Sequence, residues 1–113
     1  MKKITVVSVK VGEQPDVLSI EADNEKYREL VGGWIEPVRI AEDIFMIVNE
    51  EGMIQNLPVN FAIATGNEQV LEIHGNVFFI GIAGEDFVSL TKEQIIKVRQ
   101  MFQFNRTTWT VRT

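Results

Sequence analysis

The chain lacks cysteine altogether and has one histidine, one tyrosine and three prolines in 113 residues. Without cysteine there is no disulfide, no thiolate nucleophile and no thiolate metal ligand, a usage that fits a reducing cytosol. The lone histidine, His74, supplies one imidazole where a zinc site normally takes three or four ligands, so no metal is expected. Serines are scarce too. Ser8, Ser19 and Ser89 fall in no strand-turn-helix elbow of the kind that activates a hydroxyl. No phosphate loop is present, because "GIAG" is not followed by lysine and serine or threonine. The longest apolar run, "VFFIGIAG", falls far below the ~20 residues needed to cross a bilayer as a helix. The opening "MKKITVVSVKV" is broken by Lys10 and lacks a small-residue cleavage site. It reads as a strand rather than a signal peptide, and a cytoplasmic location is expected.

Positive charge is also sparse, and it is unevenly placed. The net charge is −5. Residues 92–113 carry five basic residues against Glu93 alone, a local charge of +4, and residues 1–91 carry six basic and fifteen acidic, −9. An acidic body repels phosphate backbones, which argues against direct nucleic-acid binding. An anionic ligand would have to find its cations near the C-terminal segment.

The patterns that are present indicate one domain, 1–113, of α+β class. We expect a curved, mostly antiparallel sheet with two or three short helices packed on one side. Residues 3–11 are apolar on both faces, as in a strand covered on both sides. "VLSIEA" alternates and pairs with it as a hairpin. "DNEKYRELVGG" predicts a helix capped by Asp23, buried along Tyr27, Leu30 and Val31, and ended by the glycine pair. Pro37 assigns "WIEPVRI" to a sheet edge or a bulge. "DIFMIVN" predicts a central strand, "NEEG" a turn, and "MIQN" a short returning strand. Pro58 with Val59, Ala62 and Ile63 predicts a small helix ended by Gly66. "QVLEIHG" and "NVFFIGIAG" predict a second hairpin around Gly75-Asn76. "SLTKEQIIKVRQMF" is the clearest helix, with a Thr91/Gln94 capping box. The tail "RTTWTVRT" alternates as a half-buried strand.

Chemistry is left to carboxylates, amides, arginines and tryptophans. The acidic doublets Glu42-Asp43, Glu50-Glu51 and Glu85-Asp86 all fall in predicted turns. If those turns share one end of the sheet, six carboxylates gather into a patch able to imitate a nucleic-acid backbone. Adjacent acids in turns also have a plain reading as solvated groups. No catalytic residues and no cofactor are expected.

A candidate ligand site is drawn from Trp34, Asn60, Arg99, Arg106 and Trp109. Arg99 lies near the end of the last helix and Arg106 in the connection after it, where a guanidinium pairs bidentately with phosphate. Trp109 offers a surface for stacking a base. Trp34 would form the opposite wall if the two strands are neighbours, and Asn60 would read a base edge. Each residue also has a scaffold reading: Trp109 fills the core or a dimer seam, Arg99 pairs with an acidic turn, and Asn60 caps backbone.

The stretches "LVGGWIE" (Leu30–Glu36), "VNEEG" (Val48–Gly52), "LPVN" (Leu57–Asn60), and "GNVFFIG" with "DFVSLTKEQI" (Gly75–Ile95) resemble the Domain of Unknown Function 3846 family. The resemblance implies a small protein of bacteria, bacteriophages or other mobile elements, without an assigned activity. With no catalytic apparatus in view, the reading is a non-catalytic binding protein that sequesters a nucleotide-like signal of bacterial defence. The alternative is an acidic interaction inhibitor that mimics nucleic acid on a host protein. A homo-oligomer, specifically a dimer, is expected from the amphipathic last strand and the edge strand with Pro37.

Overall fold

Among the described residues nine strands and two helices follow one another as β1 (Lys3–Val9), β2 (Asp16–Glu21), α1 (Asn24–Val31), β3 (Ile35–Ala41), β4 (Ile44–Asn49), β5 (Val59–Ala64), β6 (Val70–His74), β7 (Val77–Ala83), β8 (Asp86–Val88), α2 (Lys92–Met101) and β9 (Thr108–Thr110). A computed structural model of the chain describes residues 2–64 and 69–102, and the backbone of 108–110. The main sheet is antiparallel throughout, in the order β2-β1-β7-β4-β3, with β8 paired to β7. A second sheet runs β6-β5-β9, and β9 lies parallel to β5.

Alternation along the central strands explains why the main sheet is covered twice. Val7 and Val9 of β1, Ile44, Met46 and Val48 of β4, and Val77 and Phe79 of β7 face one way. On that side they meet Phe61, Ile63 and Ile73 of the second sheet and Val98 of α2. Ile4, Val6, Ile47, Phe78 and Ile80 face the other way, onto Tyr27 and Val31 of α1. Phe78 and Phe79 have no exposed surface, and burying each is worth roughly 2 kcal/mol. The α+β class and the mostly antiparallel sheet stand as expected. The two helices, however, lie on opposite faces of the main sheet rather than on one side. A strand apolar on both faces needs cover on both.

Three local expectations are corrected. The small helix expected around Pro58 is strand β5, in which Phe61 and Ile63 are buried two apart. An apolar run of that length fits either period, and pairing with β6 decides it. "MIQN" is not a strand. It belongs to a turn in which Gln55 N–H donates to Glu51 O at 2.8 Å, and Asn56 has φ 56°. The Gly75-Asn76 hairpin is absent as well. β6 pairs with β5, and β7 pairs with β1, β4 and β8, so Gly75-Asn76 carries the chain from one sheet to the other. Three other expectations hold: β1–β2 is a hairpin, β4 is internal, and β3 with Pro37 is an edge.

Candidate functional site

Helix α1 starts on Asp23, whose carboxylate accepts the Lys26 N–H at 2.7 Å, and stops at Gly32 in the left-handed conformation. Gly32 and Gly33 N–H both donate to Arg28 O, at 2.8 and 3.1 Å. This capping reverses the chain beneath the last helical turn. Trp34 is thereby delivered to Arg28, whose guanidinium carbon lies 4.9 Å from the centre of the indole. With Asn24, one turn back along the helix, and Ile35 they line a cleft of about 250 Å³. Trp34 remains 61% exposed, and Arg28 forms no salt bridge with a carboxylate among the described residues. A cation over an aromatic face is worth about 0.5–1 kcal/mol when exposed. A guanidinium stacked this way keeps in-plane N–H groups for an anion. On the buried side of the same helix, burial, and secondarily the Asp23 carboxylate, raise the pKa of the Tyr27 phenol above its usual 10.0.

Next to this cleft buried amides tie neighbouring elements together. Asn49, at the end of β4, donates to Val31 O at 3.2 Å and accepts from Glu51 N–H at 2.8 Å. A Cβ on Gly33 would stand 2.9 Å from the Asn49 amide nitrogen, so close approach demands glycine there. Asn60 donates to Val9 O at 2.8 Å and to Gly75 O at 3.0 Å. His74 Nδ1 lies 2.8 Å from Leu57 O, which makes Nδ1 the protonated nitrogen. His74 Nε2 is shut off from solvent, 3.7 Å from Glu72, and has no hydrogen-bond partner among the described residues. Among the described residues no three of the histidine, aspartate and glutamate side chains gather as a metal site would need.

The sequence-derived site residues are not brought together. Trp34 lies against α1, on one face of the main sheet. Arg99, on α2 across the sheet, is exposed and lines another cleft of about 520 Å³ with Gln14, Pro15 and Ile96. Asn60 is buried, and both its amide hydrogens go to backbone carbonyls, as its scaffold reading supposed. Trp109 pairs in register with Ile63 in the second sheet, so its strand does not neighbour β3. Its side chain, and Arg106 entirely, lie outside the described residues. The residue that sequence reasoning missed is Arg28. Net positive charge lies after residue 92, whereas Arg28 sits in the acidic part of the chain. The available signal was Asn24, Arg28 and the glycine pair leading into Trp34, which together describe a helix end that folds back.

The acidic doublets divide. Glu42-Asp43 and Glu85-Asp86 lie in neighbouring turns, joined where Ile82 N–H donates to Asp43 O at 3.1 Å. Glu50-Glu51 sits at the opposite end of β4. The six do not form one patch; four of them share an end.

Fold and clefts define a small α+β protein of two stacked sheets with one helix on each face of the larger, whose surface offers shallow clefts. A family model, Domain of unknown function (DUF3846), matches residues 2–103, and the chain belongs to that family. No curated protein and no solved structure matches it. Among the described residues no helix is long and apolar enough to cross a membrane.

Proposed function

We propose that the protein is a binding protein for a nucleotide-like ligand, held at the Arg28–Trp34 cleft. The observation that carries this reading is an indole left 61% exposed with a guanidinium 4.9 Å from its centre. The free indole face stacks a base, at roughly 1–3 kcal/mol per base. The Arg28 N–H groups pair a phosphate, and Asn24 is placed one helical turn away to meet a polar edge. A volume of about 250 Å³ lies below the usual range for enclosed ligands, roughly 300–1,000 Å³. The cleft therefore takes one base and its phosphate, and a cyclic dinucleotide or ADP-ribose would project from it. Capture of such a signal on behalf of a mobile element is the biological form of this reading. A homodimer, expected from the free β3 edge, would double the sites.

Tryptophan fluorescence titrated with AMP, cyclic dinucleotides and ADP-ribose tests the proposal. We expect at least one ligand to bind tighter than about 10 μM, roughly −7 kcal/mol. Arg28→Ala and Trp34→Ala should each abolish that binding while the melting temperature holds. No ligand below that concentration removes the reading. Light scattering at about 100 μM, well above a micromolar dissociation constant, tests the dimer.

A second reading has one observation in its favour. Glu42, Asp43, Glu85 and Asp86 share one end of the sheet, which suits a basic protein surface. A salt-sensitive partner in a pull-down, lost when these four residues are neutralised, would favour it over the nucleotide.

A further inference from the structure

The end of α1 faces a second, separate cavity of about 370 Å³, lined by Val11 from the β1–β2 turn, Leu30 and Gly32, Leu57 and Pro58 ahead of β5, and Asn76 ahead of β7. Its volume lies within the ordinary range for ligand pockets, roughly 300–1,000 Å³. The walls are mostly apolar. The polar groups at its edge include the carbonyls at the end of α1. Because Gly32 and Gly33 N–H both go to Arg28 O, the Glu29 and Leu30 carbonyls accept no hydrogen bond among the described residues. The last carbonyls of a helix point along its axis past the C-terminus and carry its negative pole. Glu29 lines the same cavity; its side chain is 69% exposed, with Lys26 Nζ 3.7 Å from the carboxylate. Asn76 Oδ1 accepts the Val11 N–H at 2.9 Å and keeps a second lone pair, with the amide NH2 beside it.

We infer that this cavity binds an alkylammonium group: a short hydrocarbon body on the apolar walls, with its ammonium donating to the terminal helix carbonyls and Glu29. An ammonium has three donors and no acceptor, the complement of the helix-end carbonyls. A carboxylate or phosphate would meet the negative pole of the helix and is excluded. The inference is independent of the nucleotide reading, because neither Arg28 nor Trp34 lines this cavity.

The test is an NMR titration of the full chain with n-pentylammonium, with n-pentanol and pentanoate as size-matched controls. The amine should shift the amides of Gly32, Gly75 and Asn76 and saturate with a dissociation constant of about 1 mM, as fits so small a ligand. Pentanol should bind at least about fivefold more weakly for want of the charge at the helix end, and pentanoate should not bind. Glu29→Gln, a change at an exposed side chain, should weaken the amine about threefold. Val11→Phe should fill the cavity and abolish binding, whereas Trp34→Ala should leave it unchanged. A blocked lysine in place of the amine separates the two sources of this chemistry. Equal or greater shifts at the same amides assign the site to a partner's lysine side chain, and weaker shifts assign it to a free amine. Equal affinity for pentanol and pentylammonium would overturn the cationic assignment. Shifts at other amides, or none, would overturn the site.

Discussion

The two ends of the main sheet are built on different terms. At one end the chain must cross between sheets, and buried side-chain amides hold it: Asn60 of β5 reaches Val9 O and Gly75 O across the sheets, and Asn49 ties the end of β4 to Val31 O of α1. At the other end two hairpin turns close on themselves. Backbone joins them, Ile82 N–H to Asp43 O; Arg39 donates to Glu42 O within one turn, and Gln94 of α2 donates to Asp43 O. A hairpin satisfies its own ladder. A corner between sheets strands carbonyls that only a side chain can reach, and a buried carbonyl left without a donor costs about 1–3 kcal/mol. Cost of failure therefore concentrates at the crossing end, and the candidate ligand clefts lie beside it.

Substitutions can break that contrast. Asn60→Leu should have the largest effect. It removes the donor from Val9 O and Gly75 O together, and urea unfolding should show a loss of roughly 3 kcal/mol. Gly75→Ala comes next. Gly75 has φ +84°, and a Cβ there would lie 2.8 Å from Leu57 Cδ1. Strain and overlap together should cost roughly 2 kcal/mol in the same assay. At the opposite end Thr91→Ala removes the hydroxyl that accepts Gln94 N–H at 3.1 Å and should cost about 1 kcal/mol. Paired Glu42→Gln and Glu85→Gln should stay within about 0.5 kcal/mol of the parent. A loss there as large as that of Asn60→Leu would end the distinction between the two ends.

A pH effect sharpens the contrast between buried and exposed groups. Tyr27 is the chain's one tyrosine, 4% exposed, and its phenol pKa is raised by burial and then by Asp23. In the unfolded chain it titrates near 10. Above that value the unfolded state releases its proton first, so stability is intact below about pH 10 and is lost as pH rises through the folded value. Melting temperatures between pH 9 and 11 should fall more steeply for the parent than for Tyr27→Phe. Absorbance at 295 nm reports the titration itself.

The sequence made the crossing end hardest to read. Helix α1, its Asp23 cap and Gly32 stop were legible because caps and the Tyr27/Val31 spacing are local signals. So were the β1–β2 hairpin, the internal position of β4, the edge position of Pro37 and the capping box of α2. β5 was mistaken for a helix because Pro58 and the spacing of Val59, Ala62 and Ile63 fit a turn of helix as well as Phe61 and Ile63 fit a strand. Gly75-Asn76 looked like a hairpin because a two-residue loop does not say which sheet the next strand joins. Tertiary pairing settles both. Arg28 was passed over for a related reason: its meeting with Trp34 depends on how the helix ends, not on the charge count of the segment.

β7 has a consequence for how the molecule transmits disturbance. Val77 and Phe79 belong to the core under the second sheet, and Phe78 and Ile80 to the core under α1. One strand is thus a shared wall, and neither core can loosen without shifting the other's packing. Opening should engage both cores together, so amides of β7 should exchange with solvent only through the whole molecule's unfolding. A ligand bound beside α1 would then slow exchange along the whole of β7, on both its faces, by the stability it adds, RT ln(1 + L/Kd) at free ligand concentration L.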